Sequence, residues 1–397
     1  MVFSSAMKER YYSLDVFRGA TVAFMILVND QMGEAYGPLD HAPWHGLTPT
    51  DLVFPFFLFA VGNALSFVMP RLRQQGDAVF LKKVGRRTLL ILLIGLLLNW
   101  SPFFRWDHDS LVFKKWTWLN DQGGLSGVRV MGVLTRIGLC YFFASILVYF
   151  CKPLTACLVC IFLLITYWGM CAWLGNPGNP YSLSGYFGTP VDKAVFGAEH
   201  LYHGEGVAFD PEGLASTLPA IVSVVIGYFT GGFIQRKGKN FEMLAILFAA
   251  GLGLLFVGYC WSLAFPVNKK IWTSSFTVTS GALAMLTLGL FIFLIEFKGL
   301  KGVWSRFFDV FGKNPLFIFV LSGLVPRFTG LFRIADGSDP TGKTLYRAPF
   351  SWIYEHVSKP LAFHNEKLAS LLFALGIVVL YWLTGWLLDR RKIYIRV

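Results

Sequence analysis

Among the 397 residues, the side chains able to do chemistry gather in a few short stretches. The densest is Leu39-Asp40-His41-Ala42-Pro43-Trp44-His45-Gly46-Leu47-Thr48-Pro49-Thr50-Asp51. Histidine is the usual general base at neutral pH, because its unperturbed pKa is about 6.5. A reaction that removes a proton and builds negative charge on oxygen needs such a base together with hydrogen-bond donors. His41 supplies the base in this reading. Asp51 orients its imidazole, as a carboxylate does in a triad. Asn29, at the end of the first apolar stretch, donates to the oxyanion or to the substrate. Each also has a plainer reading. His41 is a loop histidine. Thr48-Pro49-Thr50-Asp51 spells a helix start, with an N-cap Thr, a first-turn Pro and an acidic N3 residue. Asn29 is an amide paired between helices. His45 reads as a bystander or substrate contact.

Arg136 is the least expected charge, because it lies in an otherwise apolar run. Arg129 precedes it by seven residues, on the same face if both are helical. An arginine inside a membrane is a functional hypothesis by default. It reads as a ligand contact or as a structural pair with an Asp or a carbonyl. Arg18, Arg86 and Arg87 flank apolar runs, where guanidinium suits phosphate and also suits simple snorkelling. Asn268, Lys269 and Trp272 offer an amide, a cation and an aromatic platform of the kind a sugar uses. His200 and Glu199 are weaker versions of the same. No metal is expected: the histidine spacings lack a ligand pattern and there is no HExxH. No Walker-type or GxGxxG phosphate loop is present.

The elements that must position these residues are membrane helices. The chain is 55% hydrophobic and only 15% charged, with 39 Phe and 13 Trp, and its mean hydropathy is +0.56. Soluble domains carry about 25% charged residues. This excludes a cytosolic globular enzyme, a disordered chain and a disulfide scaffold. The net charge of +12 points to Lys and Arg in cytoplasmic loops and not to nucleic acid. Ten apolar runs predict an all-α, polytopic protein with spans at 14–30, 50–70, 88–101, 130–150, 154–174, 214–234, 242–264, 272–295, 308–326 and 367–388. With the N-terminus inside, about 20 of the 35 basic residues fall on the cytoplasmic side, including Lys8, Arg10 and Arg396, and both termini are predicted there. All seven histidines, His108 among them, fall in long outer segments. Pro55 is expected to bend the second helix. Asp210-Pro211-Glu212 is expected to cap the sixth span. The six Cys read as inert small hydrophobes. There is no convincing internal repeat, so 1–397 is expected to be a single membrane domain.

Three groups of residues carry a resemblance: Ser13-Leu14-Asp15-Val16-Phe17-Arg18-Gly19, Met25-Ile26-Leu27-Val28-Asn29, and 39–55 with its Asp40-His41-Ala42-Pro43-Trp44 core. Gly132-Val133-Leu134-Thr135-Arg136-Ile137-Gly138, His200-Leu201-Tyr202, Asp210-Pro211-Glu212-Gly213 and Pro266-Val267-Asn268-Lys269-Lys270-Ile271-Trp272 follow in order. Together they resemble the transmembrane acetyltransferases typified by heparan-α-glucosaminide N-acetyltransferase, and their bacterial NagX-type relatives. The resemblance runs from residue 11 through nearly the whole chain and lacks the large lumenal N-terminal domain of the animal enzymes. It implies acetyl transfer from cytosolic acetyl-CoA, across the membrane, to the amine of a glucosamine-type acceptor. It gives His41 the catalytic position and assigns no role to His45. On this view Arg18, Arg86 and Arg87 meet the CoA nucleotide and Arg136 its pantetheine end. From their own chemistry, apart from the resemblance, Asn268, Lys269, Trp272 and His45 are expected to face the acceptor. A homodimer in a bacterial inner membrane is expected. The alternatives are an O-acetyltransferase of an envelope glycan and an amino-sugar transporter.

Overall fold

A computed structural model describes residues 11–107, 110–120, 123–338 and 344–395. Lys8, Arg10, His108 and Arg396 lie outside the described residues. The apolar runs fold as helices, because a helix satisfies its own backbone groups where water is absent. In chain order these are α1 (Tyr12–Asn29), α2 (Val53–Gln74), α3 (Asp77–Trp100), α4 (Val133–Phe150) and α5 (Pro153–Leu174). The short α6 (Gly188–Phe196) precedes α7 (Leu214–Lys237), α8 (Phe241–Ser262) and α9 (Ser274–Ile292). Then come α10 (Val303–Lys313), α11 (Pro315–Thr329), the short α12 (Pro349–Ile353) and α13 (Lys359–Leu361), and α14 (Glu366–Arg390).

Among the described residues, seven helices are long and apolar enough to cross a membrane. The pair α10 and α11 makes an eighth if counted as one span, although it is bent by 79°. The break falls at Asn314, just before Pro315, where proline disfavours helical geometry in the residue before it. α1 and α3 occupy two further predicted spans, but Asp15 and Arg18 in the one and the basic residues 82–87 in the other lower their apolarity. The fold is that of a polytopic helical membrane protein.

It is not purely helical. Among the described residues, three antiparallel hairpins stand in the connecting segments: β1 (Phe104–Asp107) with β2 (Ser110–Phe113), β3 (Thr117–Leu119) with β4 (Leu125–Gly127), and β5 (Ile334–Ser338) with β6 (Thr344–Arg347). Chain that leaves the helical bundle must pair its backbone locally, and a hairpin does so in few residues.

α7 is the central helix. Its most apolar stretch is 67% buried, against 28% for α5 and for α8. α2 lies directly along it. The contact is backbone to backbone: a Cβ on Gly62 would stand 1.8 Å from the Val224 carbonyl oxygen, and one on Gly227 2.0 Å from that of Phe59. Around this line Leu58, Leu65, Ala220, Val222, Val224 and Val225 are buried. Pro55 does not kink α2. The helix begins at Val53, so Pro55 sits in its first turn, where a missing N–H costs nothing.

Candidate active site

The site is built from the connection between α1 and α2. A tight turn over Pro49–Leu52 leads into α2, and Asp51 closes it by accepting from the Thr48 backbone N–H at 3.0 Å. The same carboxylate accepts from Ala42 N–H at 3.2 Å and from Thr48 Oγ1 at 3.1 Å. Its other oxygen, Oδ1, lies 2.7 Å from His41 Nδ1. The capping reading and the orienting reading of Asp51 therefore hold together. An ionised carboxylate only accepts, so His41 donates through Nδ1, and in the neutral ring Nε2 is the nitrogen that carries the lone pair. The Asp51 side chain is 3% exposed and that of His41 44%, which leaves the imidazole open on one side.

That open side faces a cavity of ≈ 340 Å³. Asn29, His41, Asp51, Arg129, Lys269 and Trp272 are among the residues that line it. Five residues singled out from sequence thus line one cavity together with Trp272. Asn29 is the last residue of α1 and is exposed there. Lys269 reaches in from the segment before α9. Its Nζ is 3.2 Å from His41 Nδ1, 3.5 Å from Nε2 and 3.7 Å from Asp51 Oδ1. Burial pushes the Lys269 amine below the ordinary lysine range, and the Asp51 charge opposes this.

Other expected residues sit differently. Trp272 forms the cavity floor and is not an open platform. It is 1% exposed, edge-on to Phe54 and Phe276, and held with φ at 49°. Asn268 is fully buried and spends its Oδ1 on the Ile271 N–H. Its Nδ2 lies 3.3 Å from His45 Nδ1. Burial lowers the pKa of His45, which favours the neutral ring that can accept there. Arg136 is 0% exposed and lies behind Trp272, 5.1 Å from its ring centre. One nitrogen donates to the Gly213 carbonyl and to Ser216 Oγ, and Nε and Nη1 are buried without a partner. Arg129 does not share its helical face, because α4 begins only at Val133. His200 is buried, with Nδ1 2.7 Å from the Val128 carbonyl oxygen.

Arg18, Arg86 and Arg87 lie toward the other end of the bundle. Arg18 donates to the Gly312 carbonyl at 3.0 Å and pairs with Asp15 at 2.5 Å. Arg86 and Arg87 are exposed on α3, with Arg87 over the Tyr141 ring. A second cavity of ≈ 300 Å³ opens at that end between α2, α4, α5 and α7, and Arg73, Gln235 and Arg236 line it. Along α2 the two linings are about 14 Å apart, counting nine residues from Phe57 to Ser66 at about 1.5 Å each.

Sequence reasoning missed the acidic wall of the first cavity. Arg129 makes a two-point pair with Asp210, at 2.9 and 2.6 Å, and bonds Glu212 as well. Lys270 pairs with Glu205 at 2.8 Å. Asp210 does not cap α7; Asp192 of α6 accepts from the Leu214 N–H at 2.9 Å. The available signal was a second acid in Asp210-Pro211-Glu212, where a cap needs only one.

Fold and cavity together define a polytopic membrane protein with a histidine–carboxylate pair facing a cavity at one end. No protein-family model matches the chain. It is 28% identical over 378 residues to human heparan-α-glucosaminide N-acetyltransferase, covering 80% of this chain and 53% of that protein. To the mouse protein of the same name it is 26% identical over 369 residues, covering 79% and 53%. The chain spans about half the length of these curated relatives.

Proposed function

We propose that this chain is a membrane-embedded N-acetyltransferase that moves acetyl from acetyl-CoA to the amine of a glucosamine-type sugar. The observation that carries this reading is the Asp51–His41 pair, with Lys269 beside the ring, facing a cavity in a chain similar to enzymes named for that transfer. The acceptor amine attacks the thioester carbonyl, His41 Nε2 takes its proton, and the thiolate leaves with that proton. The acceptor is held beside the His41 end of the bundle. The CoA nucleotide is held at the other end, where Arg73 and Arg236 line the second cavity. Arg18 is tied to both Gly312 and Asp15, whereas Arg73 spends one nitrogen on the Val148 carbonyl and keeps its other donors for phosphate beside Arg236. The donor therefore enters from the cytoplasm and the acceptor from the opposite side, in a bacterial inner membrane.

The test is acetyl transfer in proteoliposomes, with acetyl-CoA on the Arg73 side and glucosamine on the His41 side. Wild-type protein is expected to form N-acetylglucosamine. His41→Ala is expected to lose turnover while still binding CoA. Arg73→Ala with Arg236→Ala is expected to raise KM for acetyl-CoA about tenfold, as for lost charge-assisted phosphate contacts. Undiminished turnover in His41→Ala would end this reading of the site. N-acetylglucosamine serving as the better acceptor would favour O-acetylation, and uptake without acetyl-CoA would favour transport.

A further inference from the structure

Lys269 lines the cavity, yet its ammonium has few places to spend three hydrogens. His41 Nδ1 is already a donor to Asp51 and offers no lone pair. What remains among the described residues is Nε2 at 3.5 Å, Asp51 at 3.7 Å and the cavity itself. A cation held by only long contacts to His41 and Asp51 thus stands within about 3.5 Å of the base, with its remaining hydrogens available to the cavity. Asn29, the other candidate for an oxyanion donor, is a neutral amide exposed at a helix end. Hydrogen bonds from an ionised donor are about twice as strong as neutral ones.

We propose that Lys269 is a catalytic residue whose ammonium donates to the thioester carbonyl oxygen as that oxygen becomes the tetrahedral oxyanion. The proposal rests on the acyl-transfer reading above. In the first step the amine lone pair forms the C–N bond and the C=O π pair moves to oxygen, where Lys269 meets it. His41 Nε2 removes the amine proton. The oxyanion then re-forms C=O, the C–S bond breaks, and the thiolate takes the proton from His41. Lys269 keeps its own protons throughout. Charge stabilised only in the transition state raises kcat without tightening substrate binding. This moves Lys269 from the acceptor contacts to the chemistry.

The groups acting on Lys269 are His41 and Asp51 from the α1–α2 connection, Glu212 from the segment before α7, and Lys270 beside it. Burial lowers its pKa, so wild-type activity is expected to fall at a pH below the ordinary lysine range as the ammonium is lost. The test measures kcat, KM and pH dependence for Lys269→Met and Lys269→Arg. Lys269→Met is expected to lose about 10²–10³-fold in kcat, the usual effect of removing one oxyanion donor, with KM for glucosamine nearly unchanged. Lys269→Arg is expected to regain part of the rate and to hold it at higher pH, because arginine stays charged. Raised KM at unchanged kcat in Lys269→Met, or an alkaline limb unmoved in Lys269→Arg, would overturn the proposal. If Lys269→Met does not fold in detergent, Lys269→Arg and its pH profile decide alone. A wild-type protein inert toward amines would instead remove the acyl-transfer reading, and this proposal with it.

Discussion

Asp51 uses one carboxylate for two tasks. Oδ2 closes the turn that starts α2, and Oδ1 fixes the His41 ring. The two can be separated by substitution. Asp51→Asn keeps an oxygen for the Thr48 N–H. Its amide then either donates to Nδ1 and shifts the ring hydrogen to Nε2, or leaves the ring unheld. By analogy with the tautomer effect in serine proteases, turnover is expected to fall by about 10²–10⁴-fold. The melting temperature is expected to change little, since the Asn side-chain oxygen still accepts from the Thr48 N–H. Asp51→Ala is expected to lose the turnover and also about 1 kcal/mol of stability. Equal melting losses in both variants, with turnover kept in Asp51→Asn, would reduce Asp51 to a cap.

At the scale of elements, everything depends on how closely α2 approaches α7, because both cavities are bounded by α2. Gly62 and Gly227 let the two backbones touch, as small residues do between membrane helices. Gly62→Val is expected to force the helices apart, at about 1–3 kcal/mol or more. The check is a lower melting temperature in detergent, with no change for the same substitution at Gly253, where a Cβ meets open space. The long helices were legible in the sequence because apolar runs of membrane length have few other folds. The pairing of His41 with Asp51 was legible too, since the two are ten residues apart and the Thr48 turn brings them together. The rest was written in distant partners. Arg129 meets Asp210 from 81 residues away, and Asp192 caps α7 across a loop from 22 away. Lys269 reaches His41 from 228 away. No local pattern encodes such pairs. The hairpins were missed because their strands are only three to five residues long.

For the whole molecule, the two cavities lie at opposite ends of α2 and α7 with close-packed core between them. Leu58, Val222 and Val224 belong to that core, and each is no more than 3% exposed. A dry aliphatic plug of this kind is an electrical insulator. An ion crossing it would shed its hydration and gain nothing in return, at a cost of several kcal/mol or more. The proposed reaction therefore requires the pantetheine arm to part this core on its way to His41, and a core that closes behind it admits no protons or sodium. Vesicles containing the protein without acetyl-CoA are expected to hold a pH gradient as long as protein-free vesicles do. Faster decay would mean a hydrated path through the core. The membrane voltage that a cell maintains would then be undisturbed by the protein, however many copies it carries.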